Sequence, residues 1–490
     1  MYMNLSVEQR NYFSLVREGA FVNPFSAERL GLFQRMADLP VERDMIRLLP
    51  AIKSRLKSQL EALELAGARK LKDFDAAHRD LMRHVYLFHI YTTLEDKFDH
   101  WIERQSRLPE QTDPVPFAAD ALAAMRSRGL TADQAGRYFA VFYQLRRGFY
   151  FIDRGLLGPS DCMRQLRMHL WNSVFTRDIL LYDEFLWSKM EDFSTMLLGP
   201  TGAGKGAAAA AIGRSGFIPF DAKTGRFKDS FMRVYISANL SQYPETLLES
   251  ALFGHTKGSF TGALSDHDGL FARCSPYGSV FLDEIGDVSI PVQIKLLQVL
   301  EERCFTPLGT YKSKRFAGRV IAATNRPLDR LRREGAFRDD FFYRLCSDVI
   351  HVPSLRQRIA EDPQELEVMV GHVVGAIVGH PEAGLAKSVL EIIRQQLGEG
   401  YPWRGNVREL AQCVRRILLK RRYEPDRSMV DGATESWLAR VSDGTLTARE
   451  LLSHYCAMLY GREGSYERVG AVTGLDRRTV KKYVDDCKDN

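Results

Sequence analysis

The stretch Thr195-Met196-Leu197-Leu198-Gly199-Pro200-Thr201-Gly202-Ala203-Gly204-Lys205-Gly206 decides the fold. A short apolar run enters a loop with glycines at its first and sixth positions, a lysine follows, and residues 207–211 are all alanine. Glycine-rich backbone can curl its N–H groups around phosphates, the lysine can reach the β- and γ-phosphates, and the next helix points its positive end at them. The stretch therefore predicts a strand, a phosphate-binding loop and a helix. A plain glycine turn before a helix is the competing reading, and the strand–loop–helix order argues against it. One residue departs from the pattern. Gly206 follows the lysine where Ser or Thr would offer a hydroxyl to Mg²⁺, so the metal would need other ligands.

Working outward, further short apolar runs alternate with helical stretches: 234–236, 280–282 and 319–323. That is the pattern of an α/β domain with a mainly parallel sheet. The run at 279–282 ends in Asp283-Glu284. There an aspartate can hold Mg²⁺ and a glutamate can polarise an attacking water. The run at 320–323 ends in Thr324-Asn325, polar groups placed to sense a γ-phosphate. Helical patterning resumes near 362 and continues to about 422, and the polar stretch 424–431 reads as a linker.

The chain has 490 residues, which at about 100–200 residues per domain suggests three domains. Sixty-eight basic against 62 acidic residues leave a net charge of +6, too little to mark the whole chain as a nucleic-acid binder. With 45% hydrophobic and 27% charged residues, disorder as the main state is excluded. No run approaches a membrane span, and the N-terminus has no basic-then-apolar signal pattern. The seven cysteines are scattered, with no Cys-x-x-Cys pair. That argues against a disulfide framework or a zinc site and leads to the expectation of a cytoplasmic protein.

Residues 1–155 read as helical. Leu87, Tyr91, Leu94, Phe98 and Trp101 recur at spacings of three and four, the stripe of an amphipathic helix. A second helix is expected from Thr131, an N-cap with Gln134 three residues on, to about Tyr150. Residues 109–116 hold three prolines and read as a loop. His89, Asp96, His100 and Glu103 share a helix face with chemistry suited to zinc or iron, but they lie opposite the apolar stripe and read as solvated. The segment 217–232 is long and polar for a connection, and the sequence offers no mechanism for it.

At the other end, Ser465 is placed to cap a helix Tyr466–Thr473, and Gly474-Leu475 makes a tight turn. Asp476 caps a second helix bearing Arg477, Arg478, Thr479, Lys481 and Lys482, with Val469, Val472, Leu475, Val480 and Val484 as the apolar faces. Two short helices around a glycine turn, the second basic, fit a DNA-binding helix-turn-helix, with a solvated hairpin as the plain alternative. Either Arg478 with Lys482 or Arg477 with Lys481 could face base edges.

The stretch Gly254-His255-Thr256-Lys257-Gly258-Ser259-Phe260-Thr261-Gly262-Ala263 is the most specific. It resembles the signature loop of the sigma-54-dependent transcriptional activators, a branch of the AAA+ ATPases, whose motif is Gly-Ala-Phe-Thr-Gly-Ala; Ser259 replaces the first alanine. The resemblance covers residues 158–422, and the C-terminal module resembles the Fis type that ends many such activators.

What the resemblance implies is an α/β AAA+ P-loop ATPase core (156–360) with an α-helical lid (361–425). An all-α input region (1–155) precedes them, and a helix-turn-helix (440–490) follows. It implies ATP and Mg²⁺ as cofactors, with nucleotide contacts from Gly199, Pro200, Thr201, Gly202, Ala203, Gly204, Lys205 and Gly206. Asp283 would hold Mg²⁺, and Glu284 would be restrained by Asn239. Thr324 and Asn325 match the first sensor. Arg338 and Arg344 lie in the arginine-finger segment. Arg408 matches the second sensor, with Arg404 where the family usually has proline. Gly258, Ser259, Phe260, Thr261, Gly262 and Ala263 would contact sigma-54. Fingers supplied in trans imply a homo-oligomeric ring, a hexamer by family analogy. The expected function is ATP-driven remodelling of the sigma-54 RNA polymerase holoenzyme from an upstream double-stranded DNA site. The competing expectation is a regulator or repressor on the same scaffold that does not remodel sigma-54; the intact Phe-Thr pair and Glu284 argue against it.

Overall fold

Among the described residues nine strands are formed: β1 (Thr195–Leu198), β2 (Phe220–Asp221), β3 (Arg226–Phe227), β4 (Tyr235–Asn239), β5 (Ser279–Asp283), β6 (Cys304–Phe305), β7 (Lys314–Arg315), β8 (Arg319–Thr324) and β9 (Asp348–His351). Five of them make one parallel sheet in the order β4-β5-β8-β1-β9, and β2-β3 and β6-β7 are two small antiparallel pairs. The computed structural model describes residues 2–107, 113–398, 400–423, 441, 444 and 446–487. The linker expected at 424–431 and part of the loop at 109–116 lie outside the described residues.

The four strands expected from the apolar runs are present. β8 is buried along its whole length and β5 along all but its last residue, as helices on both faces of a parallel sheet require. β9 went unread because its edge position leaves Val349 40% exposed, which breaks the apolar run. Register aligns Leu198 with Thr324 and Asn239 with Asp283. The carboxyl ends of four strands thus share one edge, where open α/β sheets bind ligands.

By contacts the chain forms two units: Met1–Glu391 with Gly400–Arg415, and Ile392–Glu399 with Arg416–Asn490. In the first unit, the N-terminal residues are helical as expected. The helix Ala76–Arg107 buries Leu87, Leu94, Phe98 and Trp101. The helix Ala132–Gly155 starts at a capping box in which Gln134 N–H donates to Thr131 Oγ1 at 3.2 Å and Thr131 N–H to Gln134 Oε1 at 3.0 Å.

The segment 217–232 differs from its polar reading. Its polar residues turn outward along the β2-β3 hairpin, while Ile218, Phe227 and Phe231 sink into the core of the N-terminal helices. The Phe227 ring stacks on Tyr143 at 4.0 Å, and Phe220 meets Phe139 edge-on at 4.7 Å. The hairpin turn is bonded to the same helical layer, with Val115 N–H donating to Gly225 O at 2.8 Å.

The second unit holds the helices Ala448–Glu463, Tyr466–Thr473 and Arg477–Asp486 around Cys456, Leu459, Val469, Val480 and Val484. Gly474 takes φ +71°, the left-handed turn between the last two. Val472, expected on the apolar face, is 54% exposed. Ser465 stands at the helix start, but its hydroxyl makes no capping hydrogen bond.

Candidate nucleotide site and loop

The phosphate loop joins β1 to the helix Lys205–Gly213. Gly202 and Gly204 take φ +76° and +111°, conformations that favour glycine. Gly202 is held to glycine a second way, because a Cβ there would stand 2.4 Å from Gly405 O. Lys205 is buried, and its Nζ donates to Gly199 O at 2.9 Å and Pro200 O at 3.3 Å. Burial pulls its pKa below the usual lysine range; the Glu284 and Asp283 carboxylates oppose that shift, and Arg408 adds to it. Lysine, both carboxylates and Arg408 are therefore electrostatic neighbours.

The remaining strand ends converge on the same loop. Asn325 Nδ2 donates to Thr201 Oγ1 at 2.6 Å. Thr324 is buried, and its hydroxyl accepts from Arg326 N–H at 3.1 Å, so it shapes the strand end while Asn325 reaches the loop. Glu284 takes φ +56°, a strained backbone for a glutamate, and its Oε2 is buried without a hydrogen-bond partner. Asn239 stands beside Asp283 in register. Its amide oxygen accepts from Ser241 N–H at 3.1 Å and Ser241 Oγ at 2.8 Å.

The two arginine-finger candidates differ. Arg338 is half-exposed and donates twice to Asp340, at 3.0 and 2.6 Å, which raises its pKa. Arg344 donates to Leu300 O at 3.1 and 2.8 Å, where it caps the helix Ile290–Glu302. Neither is among the charges that act on Lys205.

Asn406 is a site residue that sequence reasoning missed. Its Nδ2 donates to Thr201 O at 2.9 Å, its Oδ1 accepts from Leu355 N–H at 2.8 Å, and the adjoining Val407 N–H donates to Gly202 O at 3.1 Å. The signal available was its place two residues before Arg408. A recess of about 720 Å³ begins at Gly199 and Pro200 and is lined by His169, Leu198, Val352 and Ser354 among others.

The Phe-Thr loop is closed by Gly258 N–H to Ala263 O at 2.9 Å, with Gly258 and Gly262 at φ +80° and +100°. Thr261 is exposed and Phe260 is 38% exposed, its ring 4.9 Å from His255. Ser259 Oγ and Ala263 face inward instead. A second loop, unread in the sequence, is tied to this one: Thr256 N–H donates to Leu308 O at 3.0 Å. A Cβ on Gly309 would meet Ser259 Cβ at 2.5 Å. This second loop carries Tyr311, fully exposed.

In the C-terminal unit, Asp476 caps the last helix by accepting from Arg478 N–H at 2.9 Å and Thr479 N–H at 3.1 Å. Arg477, Arg478, Lys481 and Lys482 are exposed. Arg477 is paired with Glu467 at 3.1 Å, and Thr479 is half-buried with its hydroxyl on Asp476. The four residues that suggested a metal site are not assembled. His100 Nδ1 lies 2.6 Å from Asp96 O, Glu103 pairs with Arg154, and His89 is half-buried. Among the described residues no group of three metal-ligating side chains occurs. Nor, among them, is any helix long and apolar enough to cross a membrane.

The family description "Sigma-54 interaction domain" matches residues 183–351. The chain is 35% identical over 275 residues to the Nif-specific regulatory protein of Azotobacter vinelandii, a match spanning 55% of this chain and 45% of that protein. It is 38% identical over 229 residues to the hydrogenase transcriptional regulatory protein HoxA of Bradyrhizobium diazoefficiens, spanning 46% and 43%. An uncharacterized protein in the HyuA 5' region of a Pseudomonas species is 37% identical over 228 residues, 46% of this chain and 71% of that protein. The chain thus spans less than half the length of the first two relatives.

Proposed function

The chain belongs to the family of sigma-54-dependent activators, and we propose that it hydrolyses ATP in a homo-oligomeric ring to remodel sigma-54 RNA polymerase at a promoter. The observation that carries the chemistry is the convergence of Lys205, Asp283, Glu284, Asn325 and Arg408 around one phosphate loop.

Phosphoryl transfer needs positioning and charge neutralisation more than covalent chemistry. The loop N–H groups and Lys205 hold the β- and γ-phosphates. Asp283 would hold Mg²⁺, which when bound neutralises phosphate charge. Glu284, with an unbonded carboxylate oxygen at the site, orients the attacking water. Asn325 links the γ-phosphate position to the loop, and Arg408 reports from the lid. Arg338 is the finger donated to a neighbouring subunit, because its exposed pairing with Asp340 can exchange for phosphate at little cost. The ring, a hexamer by family analogy, follows from that donation.

Phe260 and Thr261 form the surface that engages sigma-54, and Tyr311 is exposed on the loop bonded to theirs. The last helix, through Arg478, Lys481 and Lys482, binds the upstream DNA site in the cytoplasm. Thr261→Ala is expected to keep ATP turnover and lose promoter opening in a reconstituted sigma-54 transcription assay; normal opening would remove the loop assignment. Lys205→Ala is expected to abolish turnover, and unchanged turnover would remove the P-loop assignment.

A further inference from the structure

The N-terminal helices, together with Trp171, Ile179, Tyr182 and Asp183, form a partly open cavity of about 140 Å³ that the nucleotide chemistry does not use. Its walls are mainly aromatic and aliphatic, including Phe33, Leu87, Phe88, Val141, Phe142 and Phe149. Two polar side chains on the lining, His84 and Trp171, lack the partners that buried polar groups normally have. Both ring nitrogens of His84, a residue only 5% exposed, have no hydrogen bond; the nearest carboxylate, Asp80, is 3.8 Å away. Trp171 Nε1 is buried and unbonded. Arg29 donates to Pro24 O at 3.0 Å and lies over the Phe33 ring at 4.9 Å, but has no carboxylate in ion-pair range among the described residues. The other lining charges are matched: Arg146 by Asp99, Glu95 by Lys53 at 3.1 Å and Asp183 by Arg137 at 2.6 Å. The cavity therefore presents one cation without a direct ion-pair partner, with Glu95 and Asp153 acting on it only at longer range, and two unused hydrogen-bonding side chains on an apolar shell. Cavities of this size, about 150 Å³, accommodate a benzene ring.

We propose that this cavity binds a small monocarboxylate with a ring-sized apolar body, and that occupancy is transmitted to the phosphate loop. The carboxylate pairs with Arg29 and takes the free donors, while the body fills the aromatic shell. The route is physical. Trp171 lies on the helix Asp161–Phe175, which packs against both β9 and the phosphate-loop helix Lys205–Gly213. Transmission rests on the ATPase reading above; binding does not.

The test is calorimetry on the full-length protein with benzoate, cyclohexanecarboxylate and benzylammonium as probes. The expected result is saturable one-to-one binding of at least one carboxylate and none of the ammonium. Arg29→Met should weaken it by about 10- to 100-fold, the loss of a charge-assisted hydrogen bond. Val141→Phe should fill the cavity and abolish binding. Should that variant not fold, Arg29→Met alone decides. Absence of carboxylate binding, equal binding of benzylammonium, or unchanged affinity in Arg29→Met overturns the site. Binding that leaves ATP turnover unchanged overturns the transmission. Lys205→Ala separates the two readings, since it should still bind the carboxylate while hydrolysing no ATP.

Discussion

The guanidinium of Arg147 donates to the main-chain carbonyl of Arg214 at 2.6 Å, and its other arm reaches Gly216 O at 2.7 Å. Arg147 is fully buried, and burial pushes its pKa down to about 10. It sits on the helix Ala132–Gly155 and fastens the residues just beyond the phosphate-loop helix. Together with the hairpin aromatics sunk between the N-terminal helices, it makes residues 1–155 part of the same core as the sheet. Removing those residues would expose Ile218, Phe227 and Phe231 and leave two carbonyls unpaired. The expected product is insoluble or dye-binding rather than a hyperactive enzyme, judged by size-exclusion and fluorescent-dye binding. A soluble, cooperatively melting fragment would overturn this. In the intact chain, Arg147→Met should cost about 2–6 kcal/mol, from two part-buried acceptors left without their donor at about 1–3 kcal/mol each.

Arg358 and Glu365 predict a second stability effect. Both are buried, at 3% and 0% exposure, and bond at 2.6 and 3.1 Å. Glu365 also accepts from Ser160 N–H at 3.1 Å, and Arg358 donates to Leu157 O at 2.7 Å, so the pair locks the connection at 157–160. Glu365→Ala strands a buried guanidinium and should lose about 3–5 kcal/mol in denaturant melts. A double replacement by apolar residues should recover much of that, because the pair's own desolvation is also removed.

His84 sets a pH dependence. Burial lowers its pKa from 6.5 to about 4, against an opposing pull from Asp80 and with Arg83 adding to the drop. The unfolded chain therefore binds the proton more readily between those values. Stability is fully present above pH 6.5 and falls as pH drops toward 4. His84→Phe should flatten the acid limb of melting temperature against pH, relative to the unaltered protein. An unchanged limb would assign acid sensitivity to the carboxylates instead.

The phosphate loop, the acidic strand end and the Phe-Thr loop could be read from sequence because each depends on local spacing: glycine positions, a carboxylate after an apolar run, a Phe-Thr pair between glycines. What could not be read depends on distant chain. The hairpin at 217–232 looks polar until Phe227 meets Tyr143, 84 residues away in sequence. Asn406 becomes a site residue only once Thr201 is folded against it. Arg344 matches a finger segment, and its hydrogen bond to Leu300 O is one that no spacing rule contains.

Gly309 couples the two exposed loops. A side chain there would collide with Ser259 and would strain a backbone at φ +80°. Gly309→Val should push the loop carrying Tyr311 away from Thr256 and Ser259 without touching the strand ends. The expected outcome is near-normal ATP turnover with promoter opening reduced by at least about tenfold, a coupling change of roughly 1.4 kcal/mol. Equal loss of both activities would mean the fold rather than the loop pair was damaged.

Gly206 offers a gain-of-function test. A Cβ at this position meets nothing within 4 Å, so a serine fits without displacing any atom. It lies in the first turn of the helix Lys205–Gly213, where serine is preferred to glycine by roughly 0.5 kcal/mol. Its hydroxyl would stand where P-loop proteins place a Mg²⁺ ligand, while the Thr201 hydroxyl stays engaged by Asn325. Gly206→Ser is therefore expected to lower the Mg²⁺ concentration for half-maximal ATP turnover several-fold, with little change in maximal turnover. Titration of Mg²⁺ at saturating ATP measures it. An unchanged requirement would place the metal on Asp283 and water alone, with its coordination closed to position 206.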